Sequence, residues 1–300
     1  MRQMLGRLVH DKAALVAALY LLAVVVVALV APLIVDASLM RSNLRLRHLP
    51  PLHFDHGWWY VLGGDALGRS MLARLVVAAR TTLAISFATV SLSLVIGAAI
   101  GLVAGLSNAW WSTAIMRAID VLMSIPSLLL AMVVLFVIGA SPPVVVMILT
   151  VTRIPIFART ARGQALEIRE RPFVSASRVM GASSLHLLVR HMAPLALPTL
   201  FSVAALEFAQ VMLAESTLTF LGIGVQPPDV TWGLMVSDGQ RYLATAWWSA
   251  LWPGLVIASI ALAATILGNW FQVANDPVLR ARSARKSRVP AAESKVASNA

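Results

Sequence analysis

Apolar positions along this chain fall in long continuous runs, not in the alternation of a half-buried strand or the one-sided stripe of a surface helix. Ala13 to Val35 contains no charged residue and is long enough to cross a hydrocarbon core of ~30 Å with some tilt. Comparable runs recur at Leu83–Leu106, Ala118–Gly139, Val144–Phe157, Leu195–Leu213 and Trp247–Trp270. The fourth of the six is interrupted by Arg153 and Pro155, and Asp120 lies near the start of the third. The pattern predicts an all-α integral membrane protein with six transmembrane helices. Residues 1–12 form an N-terminus, 13–35 the first helix and 36–80 one long polar connection. A core follows over 81–272, and 273–300 is a basic tail whose residues Arg280–Ala300 read as disordered.

The segments between the runs are distinctive. The 36–80 connection contains Leu49-Pro50-Pro51 and the aromatic run Trp58-Trp59-Tyr60, which suits a headgroup-level belt. Pro142-Pro143 marks a short turn, and Glu215–Thr245 is a Gly/Pro-rich re-entry. In Leu83–Leu106, Gly97, Gly101 and Gly105 recur every four residues and fall near one helix face. In lipid such a face admits a second helix at close range.

Composition agrees with the pattern. Hydrophobic residues make up 59% of the 300 and charged residues 12%, with a mean hydropathy of +0.82. Soluble domains carry about 25% charged residues. The net charge of +11 invites a nucleic-acid reading, but the aromatics sit in the apolar runs and not among the basic residues, which favours Lys and Arg collected in cytoplasmic loops. Six spans place the N-terminus, the connection after the second span, Arg159–His191 and the tail on one side. Most Lys and Arg fall there, making it cytoplasmic. Arg41, Arg45, Arg47, Arg69, Arg74 and Arg80 fall outside, in a long connection that the rule constrains less. A cleaved signal peptide is the other reading of the first run, whose length favours an uncleaved span. The absence of Cys excludes disulfides and thiolate chemistry. His53 and His56 lack the further ligands a metal site needs. No Gly-Lys dipeptide, His-Glu-x-x-His or Gly-x-Ser-x-Gly occurs, so the chain holds no phosphate loop and no hydrolase signature.

Arg159–His191 is too polar for lipid, yet its apolar spacing is helical. Gln164–Arg169 can continue a helix, Pro172 suits the first turn of a new one, and Gly181 ends it. A second short helix follows, with Pro194 and Pro198 at the entry to the fifth span. Such a helix, braced by two spans, is a lever for a soluble partner. Glu207 lies near mid-membrane and Arg153 a turn or two inside its span. Intramembrane charges face the bundle and pair, so the two are expected to approach each other or to line a pathway with Glu215.

Phe173-Val-Ser-Ala-Ser-Arg-Val-Met-Gly181-Ala-Ser, followed by His191-Met-Ala-Pro194, resembles the EAA loop of ABC-importer permeases. Further blocks narrow the resemblance to the C-type permease subunit of dipeptide, oligopeptide and nickel importers. They are Leu62-Gly-Gly-Asp65-Ala-Leu-Gly68-Arg69, Ala79-Arg80-Thr-Thr-Leu83, Met116-Arg-Ala-Ile-Asp120 with Ser124-Ile-Pro126, and Ala158-Arg159-Thr-Ala-Arg162-Gly163-Gln164. Glu215-Ser-Thr-Leu-Thr-Phe220-Leu-Gly-Ile-Gly224-Val-Gln-Pro-Pro228 with Thr231-Trp232-Gly233 is the strongest, and Trp252-Pro253-Gly254 and Asp276-Pro277 close the match. The resemblance implies an ABC-importer permease core in a bacterial inner membrane, with both termini cytoplasmic. It implies a second permease subunit, two ATPase subunits that carry the ATP and Mg, and an extracytoplasmic solute-binding protein. This chain itself would need no cofactor. By position, Phe173, Val174, Ser175, Ala176, Ser177, Met180 and Gly181 would couple to an ATPase. Phe220, Gly222, Gly224 and Trp232 would lie at the extracytoplasmic mouth. The chain departs from the family pattern where Ser175 replaces the usual Glu and Ser177 the second Ala, where Ser70 and Asn269 replace Asp, and where Arg153 and Glu207 replace uncharged residues. The resemblance leaves the cargo open among dipeptides, oligopeptides, glutathione, nickel chelates and opines. A proton-coupled secondary transporter, with Asp120, Glu207 and Glu215 as relay, is the alternative. The chain gives no hint of the inverted repeats common in such transporters.

Overall fold

The structure is a computed structural model and describes residues 8–275. Ten helices are numbered here in chain order: α1 (Lys12–Ile34), α2 (Met71–Leu106), α3 (Ala109–Ser124), α4 (Ser127–Ile138), α5 (Pro142–Arg169), α6 (Pro172–Val179), α7 (Ser184–Leu187), α8 (Ala193–Phe220), α9 (Trp232–Gln240) and α10 (Trp248–Asn275). Among the described residues, five helices are long and apolar enough to cross a membrane, α7 and α8 forming one of them through the π-turn Leu188–Met192. The pair α3 and α4, sharply bent at its break, makes a sixth crossing if it is counted as one span.

The third run therefore differs from the single helix expected over Ala118–Gly139. It bends by 79° between Ser124 and Ser127. Pro126 is the cause: it offers no N–H to continue α3 and forces the preceding Ile125 into an extended conformation (φ −91°, ψ 127°). Pro155 does the opposite. It sits inside α5, which runs on to Arg169, so the fourth span does not stop at Phe157 and 159–169 continues it. In a bundle, neighbouring helices and side chains can satisfy the group a proline frees. The 36–80 connection likewise ends early, because Ser70 caps α2 through the Ala73 N–H (3.1 Å) and the helix then runs for 36 residues. At ~1.5 Å per residue that is about 54 Å, far more than the hydrocarbon core. Glu215 belongs to α8 and not to the re-entry. The tail Arg280–Ala300 lies outside the described residues.

The centre of the bundle is the parallel pair α2 and α5. Gly97 faces Phe157 and Ile154, Gly101 faces the backbone of Ala158, and Gly105 faces Ala165. A Cβ at any of the three would collide with these groups. Ser93 Oγ adds an interhelical bond to the Thr150 carbonyl (3.2 Å). Around the pair pack α8, α10 and the outermost helix α1. Only alanines of α1 are buried: Ala14, Ala17, Ala28 and Ala31. Its larger side chains remain on the surface, as expected for lipid. Tyr20 of α1 bonds Ser259 of α10 (2.7 Å).

Gly101→Ala is expected to destabilise the protein by about 1–3 kcal/mol through overpacking against the α5 backbone. Gly163→Ala, at a helical site with open space around it, should be neutral or stabilise by up to ~1 kcal/mol. Thermal unfolding of both variants in detergent checks the contrast.

Candidate functional site

At one end of the bundle, α6 and α7 hang between α5 and α8. Pro172 opens α6, and Gly181 ends it with φ +86°, where the Ala182 N–H returns to the Ser177 carbonyl (3.0 Å). This is a Schellman closure, and an L side chain at Gly181 would be strained. Val174 is fully buried and joins the main core cluster, so it anchors the helix rather than presenting surface. Ser175 and Ala176 are exposed. Ser177 bonds back to the Phe173 carbonyl (2.9 Å). Phe173 is partly exposed and meets the His191 ring edge-on at 5.9 Å. Met180 is 80% exposed, and Val179, which sequence reasoning did not single out, is 90% exposed. Leu185 and Val189 extend this apolar surface. Their signal was the same apolar spacing, but they lie beyond the short motif.

Behind this segment, Arg159 of α5 pairs with Asp120 of α3 (2.6 Å), and Arg162 Nε donates to Ser112 (3.0 Å). Deeper in the bundle, Arg153 of α5 and Glu207 of α8 come together, with Nη1 3.4 Å from Oε2. The carboxylate side chain is 8% exposed and the guanidinium 19%. Beside Arg153 is a cavity of about 230 Å³ at the break between α3 and α4, floored by Pro126 and Pro155.

At the opposite end, the 215–233 segment closes on itself. Glu215 is fully buried and accepts bonds from Thr219 Oγ1 (3.0 Å) and Ser216 Oγ (3.3 Å), with Thr231 also against it. Thr219 Oγ1 in turn accepts the Val225 N–H (3.1 Å). Gly224 lies against Thr219 and Gly233 against the Ser216 backbone, each too close for a Cβ. Trp232 is buried, its Nε1 donating to the Leu75 carbonyl (3.0 Å) and its N–H to Thr82 Oγ1 (3.2 Å). Trp232 and Gly224 therefore bind the re-entry to α2 and α8, with Trp232 buried. Phe220 and Gly222 remain on the surface.

A charge network missed by sequence reasoning ties the 36–70 connection to the same end. Asp65 is buried and accepts from the Leu67 and Arg69 amides (2.8 Å each), Arg69 Nε (2.7 Å) and Arg74 Nη1 (2.8 Å). Arg74, also buried, reaches Asp238 of α9 with Nη2 (2.9 Å). Nearby, burial, with help from Arg47 and against Asp65, pushes the His48 imidazole below its ordinary value.

A bundle of broken and unbroken apolar helices, with a short helix slung across one end, has the architecture of a multi-span membrane protein. The description of binding-protein-dependent transport system inner membrane components matches residues 97–281, and that of the N-terminal transmembrane domain of oligopeptide transport permease C matches residues 1–51. The chain belongs to the binding-protein-dependent transport system inner membrane component family. It is thus a multi-pass inner membrane transport subunit of an ABC importer and not an enzyme. It is 34% identical to the di/tripeptide transport system permease protein DppC of Pseudomonas aeruginosa, over 90% of each chain. It is 30% identical to the dipeptide permease DppC of Alkalihalophilus pseudofirmus (93% of this chain, 90% of that one), and 33% identical to the glutathione permease GsiD of Pectobacterium atrosepticum (73% of each). A solved chain of the MetNI methionine ABC transporter, inward facing, shares the fold with a TM-score of 0.54 at 22% identity, covering 70% of this chain and 97% of that one.

Glu207→Ala should cost up to ~3 kcal/mol, the low end for a buried pair because Arg153 is partly exposed. The double variant Arg153→Leu with Glu207→Leu is expected to recover part of that loss. A double-mutant cycle on unfolding in detergent reads the coupling.

Proposed function

We propose that this chain forms half of the translocation pathway of an ATP-driven importer for di- or oligopeptides or similar polar solutes, working by alternating access. The observation that carries the reading is the α6 segment. Phe173, Val179 and Met180 form exposed apolar knobs on a short helix whose ends are fixed, at Pro172 and Gly181, between two spans. Apolar side chains grouped beside Arg169, Arg171 and Arg190 sit outside lipid and need a protein partner to cover them. In this reading each α6 docks in a groove of an ATPase subunit. Ser175, exposed where the family usually carries Glu, gives an uncharged contact there.

The partners are a second permease subunit, two ATPases that hold ATP and Mg, and a solute-binding protein on the far side. The N- and C-termini and α6 face the cytoplasm, as the distribution of Lys and Arg favours. The peptide cargo follows from the relatives named for di- and tripeptide transport. ATP binding draws the two ATPases together, α6 follows, and α5 and α8 carry the displacement into the membrane. The conformation that ATP binds better is thereby favoured. Arg153 and Glu207, on these two helices, sit where that displacement would be felt.

Replacing Phe173 and Met180 together by Asp should abolish uptake of dialanine into proteoliposomes containing the full complex, while its ATP hydrolysis persists. Unchanged uptake would overturn the coupling role of α6. Uptake by the unaltered complex on a proton gradient without ATP would favour a proton-coupled carrier instead.

A further inference from the structure

The network around Asp65 borders a cavity of about 470 Å³ between the 65–69 turn, the 227–230 turn, α9 and the start of α10. That size falls within the ~300–1,000 Å³ usual for small-molecule sites. Its lining contains three guanidinium groups, Arg69, Arg74 and Arg241, and three carboxylates, Asp65, Asp229 and Asp238. Charges of both signs in equal number suit a solute that is itself neutral overall but bears both charges.

The six are not equivalent. Asp65, Arg69, Arg74 and Asp238 are bonded to one another and form a fixed wall. Asp229 and Arg241 are exposed at the rim and have no ion-pair partner among the described residues. Two polar atoms of lining residues also lack partners, each just beneath the cavity surface: Nε of Arg74, a residue 3% exposed, and Oγ of Ser249, 4% exposed. Buried donors left unpaired are costly, and a polar ligand would satisfy them once the Ser249 hydroxyl and the Arg74 guanidinium turn toward it. None of these groups is needed to hold α6 or the α2–α5 pair.

We propose that this cavity is a subsite for a small zwitterion bearing a free ammonium and a free carboxylate, as a dipeptide does. Asp229 takes the ammonium, Arg241 takes the carboxylate, and Ser249 and Arg74 contribute hydrogen bonds from the floor. The proposal deepens the importer reading and rests on it: in the orientation adopted above the cavity opens on the extracytoplasmic side, where a solute would arrive.

The test is equilibrium binding of radiolabelled dialanine to the full transporter complex in nanodiscs, with the solute-binding protein omitted. Saturable binding is expected, competed by unlabelled dialanine and not by N-acetyl-dialanine amide, which lacks both charges. Asp229→Asn and Arg241→Gln, both at exposed positions that leave the fold intact, should each weaken binding about tenfold. Ser249→Ala should weaken it less and leave the unfolding temperature unchanged. No saturable binding, or binding indifferent to both rim substitutions and to blocking of the termini, overturns the subsite. ATP-driven uptake by the same complex with its binding protein restored separates the two ideas. Uptake without cavity binding removes the subsite alone, whereas loss of uptake in the unaltered complex removes the importer reading.

Discussion

The close approach of α2 and α5 is the constraint on which the rest of this bundle depends. Lipid tails are as apolar as leucine, so burying apolar surface gives helices in a membrane little reason to associate. What holds them is contact between atoms, and contact requires that side chains not stand in the way. Gly97, Gly101 and Gly105 remove them from one side, and Ala158, Ala161 and Ala165 keep them small on the other. The two backbones then approach closely enough for Ser93 to reach the Thr150 carbonyl.

Because the pair is parallel and longer than the membrane, it carries positional information from one end of the protein to the other. At one end α2 begins in the Asp65–Arg74–Asp238 network, so the 36–70 connection and α9 are registered against it. At the other, α5 emerges as a stiff continuation through Pro155 and delivers the chain to α6. Between them, Arg153 faces α8 and finds Glu207. A displacement of α6 is therefore passed along packed helix rather than lost in a flexible loop.

The spans were legible because an apolar run of sufficient length has few other meanings, and Pro172 and Gly181 announced the ends of α6 for reasons of backbone chemistry alone. Two of the prolines in the spans, Pro126 and Pro155, were not separable from sequence. Pro126 breaks its helix and Pro155 does not, and the difference lies in what surrounds them. Nor could the sequence show that Arg74 and Asp238, 164 positions apart, share a salt bridge, since a pairing between distant loops leaves no periodic trace. The burial of Trp232 was equally hidden: its motif position implied the mouth of the pathway, but its indole N–H has a carbonyl on α2 to bond and the ring is interior.

The two ends differ in how they treat polar and apolar groups, and that difference gives the proposed coupling its physical content. The α9 end holds its central carboxylates internally: Glu215 is enclosed by hydroxyl donors and Asp65 by amides and guanidiniums, and Arg74 Nε, Ser249 Oγ and the rim charges Asp229 and Arg241 are left over among the cavity's lining. Little there can shift without breaking several bonds at once. The α6 end has the reverse character, with its bonds local to short helices and its apolar side chains outward. Work entering at the compliant end meets a rigid far end, so the strain must be taken up between them. The elements least able to resist it are the α3–α4 break at Pro126 and the single long ion pair between α5 and α8. Both lie on the apolar spans, where the proposed alternating access would require the bundle to change shape.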